Sequence, residues 1–133
     1  MTAPQTVMLW TAERANRALP LVRRIAADLV RTYEQWRTLV AEFELVSIGI
    51  TSAAAGEAER LQREVQRAAA DIEGFVQELT ALGVECKSLE SGLFDFPSDR
   101  DGRIVYLCWL YDERTVGHWH EVDGGFAGRQ PIA

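Results

Sequence analysis

VRRIAADLVRTYEQWRTLVAEF, residues 22–43, repeats its apolar positions every seven residues. Val22, Leu29, Trp36 and Phe43 form one row, and Ala26, Tyr33 and Val40 form the other. Steps of four and three bring both rows onto one side of an α-helix, the seam of a rod that packs lengthwise on a second helix. Ile25 and Leu39 stand beside the seam and widen it, and so broad a stripe faces more than one neighbour. At about 1.5 Å per residue, segment 21–46 makes a rod of roughly 40 Å.

The partner helix follows a break. SIGITSAAAG, residues 47–56, loses the period and carries two glycines, so it reads as a turn. The period then returns, with Leu61, Ala68, Phe75 and Leu82 in one row and Val65, Ile72 and Leu79 in the other. Gly83 comes next, where a helix ends readily in a left-handed residue. Two rods of similar length joined by a short turn run antiparallel, which predicts a coiled-coil-like helical hairpin within residues 11–83. Ahead of the long rod, Thr11 reads as the N-cap of a short helix over Ala12–Ala18. Pro20 lacks an amide donor and clashes with the preceding turn, so it reads as a kink or as the first turn of the long helix.

Beyond Gly83 the period falls to two. VECKSL (84–89), IVYLCWL (104–110) and the stretch 117–122 are strand-like, rich in β-branched and aromatic residues. PSDRDGR (97–103) reads as a turn with Asp101-Gly102 as its reversing pair, and YDERTVG (111–117) as a second turn. The predicted class is α+β. A short helix and a long antiparallel hairpin precede a small antiparallel sheet of three or four strands with a Gly-rich tail, residues 84–133. All of it is read as one domain, 1–133, with the sheet laid against the broad face of the first helix.

The chain has 133 residues, enough to bury a core without staples, and its 47% hydrophobic and 26% charged content is ordinary for a globular protein. A net charge of −6 argues against nucleic-acid binding, which needs a basic footprint. Residues 1–40 nevertheless hold six arginines against Glu13, Asp28 and Glu34, so the rest of the chain carries −9. The favoured partner for that basic end is the acidic second helix. Cys86 and Cys108, with no leader segment before them, are read as reduced thiols. No apolar run reaches membrane-spanning length, and the expected location is cytoplasmic.

Three blocks in order look familiar: TAERANRALPLVRRI (11–25), LGVECKSLESGLFDFP (82–97) and GRIVYLCW with GHWHEVDGGFAGRQPI (102–109 and 117–132). Over nearly the full length the chain resembles the bacterial and archaeal family called domain of unknown function 2203. The resemblance implies no activity and carries over no catalytic or ligand residue.

Candidate chemistry therefore rests on residue types and spacing. His118 and His120 are the two histidines of the chain. Residues i and i+2 of a strand share a face, which sets the imidazoles roughly 6–7 Å apart, within reach of one metal ion. His-x-His supplies nitrogen ligands that zinc, iron or nickel accept. Glu90 and Asp95, in the predicted loop LESGLFDFP, are the candidate carboxylate ligands. Glu121 joins them if a bulge or the strand's end turns it inward. The competing reading gives both histidines a polar structural role, hydrogen-bonded to the same carboxylates. Cys108, in an apolar strand, reads as a buried core residue, with metal ligand or nucleophile as alternatives. Arg129 either clamps an anion or pairs with Asp95 or Asp123 to pin the tail. Trp36, Phe43 and Phe75 stand at core spacing and read as packing.

Two functions follow. One is a divalent transition-metal-binding protein; a hydrolytic version would use a metal-activated water with Glu121 or Glu90 as proton acceptor. The other is a non-catalytic interaction or scaffold module, which acts through the hairpin as a homodimer or on a protein partner.

Overall fold

The computed structural model describes residues 8–51 and 54–132. Thr11 opens the first helix: its hydroxyl accepts from the Arg14 amide at 3.1 Å and so satisfies one donor left free in a first helical turn. Helix α1 then runs unbroken from Ala12 to Ser47. The separate short helix expected before Pro20 is thus replaced by one rod of 36 residues, with Pro20 inside it. Pro20 is exposed, so solvent can serve the carbonyl that its missing amide leaves free. On the opposite side Ala15, Leu19, Val22 and Ala26 are buried, and their common surface holds both halves of the rod.

Helix α2 spans Glu57–Leu82 and ends at Gly83, whose φ of 90° closes the last turn through bonds from Gly83 N to Thr80 O and Val84 N to Leu79 O. The two helices pack on each other. Glu42, Leu45 and Val46 border a groove with Glu57 and Leu61, while Thr32, Gln35, Thr38 and Leu39 border one with Glu64, Ala68 and Asp71. Among the described residues no ion pair joins the arginines of α1 to the acids of α2. Arg17, Arg31 and Arg37 pair with Glu13, Asp28 and Glu34 of their own helix, which places those charges on an exposed face.

The sheet has five antiparallel strands in sequence order: β1 (Glu85–Ser88), β2 (Leu93–Arg100), β3 (Arg103–Leu110), β4 (His118–Glu121) and β5 (Gln130–Pro131). The expectation of three or four strands fails at two places. Leu93–Pro97, read as loop, is the first part of β2, and the tail returns to add β5. Pro97 is tolerated because its carbonyl points to the Trp10 amide, at 2.7 Å, on the side where β1 has already ended. Amide and carbonyl of one strand residue point the same way, so the missing donor faces no ladder. The reversal expected over residues 97–103 shrinks to Asp101-Gly102, both at positive φ (52° and 83°), a tight two-residue hairpin.

One face of the sheet, led by Phe94, Phe96, Leu107 and Trp109, shares a core with the α1 stripe Leu19, Val22, Ala26 and Leu29 and with Leu79 of α2. Ile25 packs against that core, whereas Leu39 borders an open groove. Two polar devices fix the ends. Trp10 Nε1 donates to Gly83 O at 3.0 Å and ties the N-terminal segment to the end of α2. Asn16 donates to Val116 O and accepts from Val116 N at 2.8 Å, which pins the β3–β4 connection to α1. No helix among the described residues is long and apolar enough to cross a membrane.

A proline in a helix interior costs about 3 kcal/mol relative to alanine. The exposed Pro20 gains little packing in return, so Pro20→Ala should raise the unfolding free energy by about 1–3 kcal/mol in urea titration. An unchanged or lower midpoint would mean that the proline shapes the rod.

Candidate metal centre

Strand alternation sorts the sheet side chains onto two faces. Phe94, Leu107, Trp109 and Trp119 point to the helices. Asp95, Tyr106, Cys108, His118 and His120 therefore share the outer face. Register brings them together: Asp95 of β2 stands opposite Cys108 of β3, Cys108 opposite His118 of β4, and Tyr106 opposite His120.

Asp95, Cys108 and His120 each offer a ligand atom, and these atoms lie within 4.8 Å of one another. All three residues are buried, at 1%, 0% and 2% exposure. His120 Nε2 is 2.9 Å from Asp95 Oδ2. On the other side of the ring, Nδ1 lies 2.6 Å from the Glu121 carbonyl oxygen. A carbonyl can only accept, so Nδ1 carries the proton, as in metal-bound histidines oriented from behind, and Nε2 is the atom turned to the cluster. Asp95 Oδ1 is buried and makes no hydrogen bond with the described residues. A buried acceptor left this way is costly, and a cation is one occupant that would satisfy it.

Burial pushes the Asp95 carboxyl above its ordinary range, opposed by the bond to His120. Burial and then the Asp95 charge push the Cys108 thiol up to about 12, while the nearby Arg129 guanidinium opposes the rise. A thiol so placed is protonated near neutrality, which removes the basis for reading Cys108 as a free nucleophile. A sulfur, a nitrogen and a carboxylate oxygen are nonetheless a donor set that zinc takes, and three such ligands leave one position open.

The other expected site residues lie elsewhere. Glu90 is exposed in the turn before β2. Glu121 is held by Arg103 through Nε at 3.1 Å and through Nη2. Neither carboxylate is part of the cluster, so neither is placed to take a proton from a metal-bound water. His118 also stands outside it: its Nδ1 is 3.6 Å from Glu113 and its side chain is 38% exposed. The shared face of the two histidines holds, but each turns to its own carboxylate. Asp95 reaches the cluster from within a strand and not from a loop.

Arg129 pairs with neither Asp95 nor Asp123. Its Nη2 donates to both oxygens of Glu113, at 2.7 and 2.9 Å, and its side chain is only 11% exposed. Glu113 was not singled out from the sequence, where it is one acid in a turn. Its carboxylate also accepts from Leu110 N at 2.7 Å, and its carbonyl accepts from Trp109 Nε1 and Arg23. Tyr106 and Lys87 were likewise missed. The Tyr106 ring lies 5.5 Å from that of His120, and the Lys87 ammonium lies 4.5 Å from the Tyr106 ring centre. Period-two alternation back from Cys108 places Tyr106 on this face, but no motif marks it.

Residues 8–132 match the family described as uncharacterized conserved protein (DUF2203), and the chain belongs to it. No curated protein and no solved structure matches the chain.

A thiol raised on folding stabilises the native chain only while the unfolded thiol keeps its proton. For Cys108 that contribution is present below its ordinary value of 9.0 and is lost as pH rises toward about 12. Cys108→Ala should therefore lose less stability than the parent chain between those two values. Parallel slopes of unfolding free energy against pH would contradict the buried, protonated thiol.

Proposed function

We propose that this member of the DUF2203 family binds one divalent transition metal at Asp95, Cys108 and His120. The observation that carries the reading is the meeting of three different ligand atoms within 4.8 Å in a buried setting, one oxygen of Asp95 being without a partner. A thiolate among the ligands favours zinc, with iron and nickel as the other candidates. His118, directly across from Cys108, is the nearest fourth ligand by position and would close the site by turning away from Glu113. With His118 left on Glu113, the fourth position stays open to a water or a substrate.

Cobalt is a visible substitute for zinc. The chain should take up about one equivalent of Co²⁺ with a thiolate charge-transfer band. Cys108→Ser should remove that band. Asp95→Asn and His120→Ala should each weaken binding by more than about tenfold. Glu90→Gln and Glu121→Gln should bind as the parent does. His118→Ala separates a closed four-ligand site from an open one. Absence of cobalt uptake by the parent chain would sink the reading.

A second reading keeps the helices as the working surface. The buried stripe of α1 stops at Thr32, and Leu45, Ile48 and Ile50 are exposed near the turn. An antiparallel hairpin that overhangs its sheet would bury this end against a second copy. Light scattering should then give a dimer that Leu45→Ser with Ile48→Ser and Ile50→Ser dissociates, and a monomeric parent chain would contradict it.

A further inference from the structure

The metal cluster lies on the face of the sheet turned from the helices, yet it is sealed. The segment 122–129, VDGGFAGR, runs between β4 and β5, and its Phe126 and Arg129 side chains reach that face. Phe126 borders a cavity of about 500 Å³ with Leu93 and Leu110, which flank Asp95 and Cys108 on the same face. Arg129 crosses to Glu113 and lies near enough to Cys108 to act on its thiol.

This cover is weakly tied. Its backbone bonds are local: Gly124 N to Glu121 O, Gly128 N to Gly125 O and Arg129 N to Phe126 O. Val122 and Phe126 are more than half exposed, at 57% and 53%. Gly125, with φ 60° and ψ −164°, occupies backbone space open to little besides glycine. The bond that crosses from the segment to the body is the bidentate one from Arg129 to Glu113. Glu113 in turn is rigid, held by Leu110 N and by the Trp109 and Arg23 side chains.

We infer that segment 122–129 is a strap latched by Arg129 on Glu113, and that its release is the route by which metal enters and leaves the Asp95–Cys108–His120 site. The inference rests on the metal-binding reading for its purpose, but the motion can be measured without metal. Cys108 has no exposure, so a thiol reagent reaches it only when the cover opens. The glycines at 124, 125 and 128 supply the backbone freedom, and the anchored neighbours β4 and β5 confine the motion to the segment between them.

The test uses the full chain, stripped of metal by a chelator, with Cys86→Ser so that Cys108 is the one thiol. Labelling by a disulfide reagent should quicken about tenfold to a hundredfold in Arg129→Ala, the range expected for loss of a charged hydrogen bond. Glu113→Gln keeps an acceptor for the Leu110 amide and should quicken labelling in the same direction. Arg129→Lys keeps one cationic donor and should restore part of the protection. Gly125→Ala meets no atom within 4 Å but strains the latched backbone, so it too should quicken labelling.

In every case the rate should be flat in low urea, the mark of a local opening and not of global unfolding. Variants that label as slowly as the parent, or a parent rate that follows urea as global unfolding does, overturn the strap. Cobalt uptake should quicken alongside labelling, and uptake that stays at the parent rate while labelling rises overturns its role as the metal's entry. A parent chain that takes no cobalt removes the metal reading and leaves the labelling rates to decide the strap alone.

Discussion

Asp95 imposes the constraint on which the outer face is organised. A carboxylate with 1% exposure cannot remain charged and unpaired in an apolar setting. One of its oxygens is matched by His120 at 2.9 Å, the other makes no hydrogen bond among the described residues by distance and angle, and the Cys108 thiol lies beside the carboxylate. Replacing Asp95 with an apolar residue of similar size would remove the desolvation cost outright. The fold instead surrounds it with a thiol, an imidazole and, further out, the Lys87 ammonium. Such an arrangement is poor economy for stability alone and good chemistry for holding a cation.

That chemistry depends on register more than on any single residue. Sliding β3 by one place against β2 would bring Leu107 or Trp109 opposite Asp95 and send Cys108 to the helix side. Several constraints prevent the slip. The two-residue turn at Asp101-Gly102 fixes the β2–β3 pairing, and Trp109 and Phe94 fill the helix-facing core. Asn16 and Arg23 of α1 hold the connection that precedes β4. The long helix thus does more than cover the sheet. It places Glu113, and through Glu113 it places the arginine that closes the tail over the cluster.

The sequence made the class and both long helices legible, because heptad rows from Val22 to Phe43 and from Leu61 to Leu82 can be read without knowledge of neighbours. It misled at Pro20, where the local cost of a proline was outweighed by burial on the far side of the same turn. It misled again at Leu93–Pro97, because the side on which Pro97 lacks a donor is known only once β1 has ended and Trp10 has arrived. Of the site, His120 and Asp95 stand together among the expected ligands and Cys108 as an alternative one, while His118, Glu90 and Glu121 are expected beside them and lie outside the cluster. A shared strand face brings His118 and His120 side by side along the chain, but cross-strand register decides which carboxylate each meets. Register is a long-range property, and Glu113 carries no local sign of its role.

The helices and the site also share a physical junction. The turn Leu89–Gly92 joins β1 to β2, and Leu89 borders an apolar groove with Tyr33 and Trp36 of α1 and Ile72 of α2. Gly92 is at φ 68°, and a side chain there would press within 3.1 Å of the Tyr111 Cβ and 3.7 Å of Val30. At this point the helix, the start of β2 and the end of β3 approach as closely as a bare backbone permits. Tyr111 N closes the contact on Gly92 O at 2.9 Å. Gly92 and Asp95 stand three positions apart along the chain, as do Cys108 and Tyr111. On the tail side, the hydrogen bond that ties the strap to the body is the one from Arg129 to Glu113. Rigid on the side of the rods and loose on the side of the tail, the cluster is built to be opened from the tail.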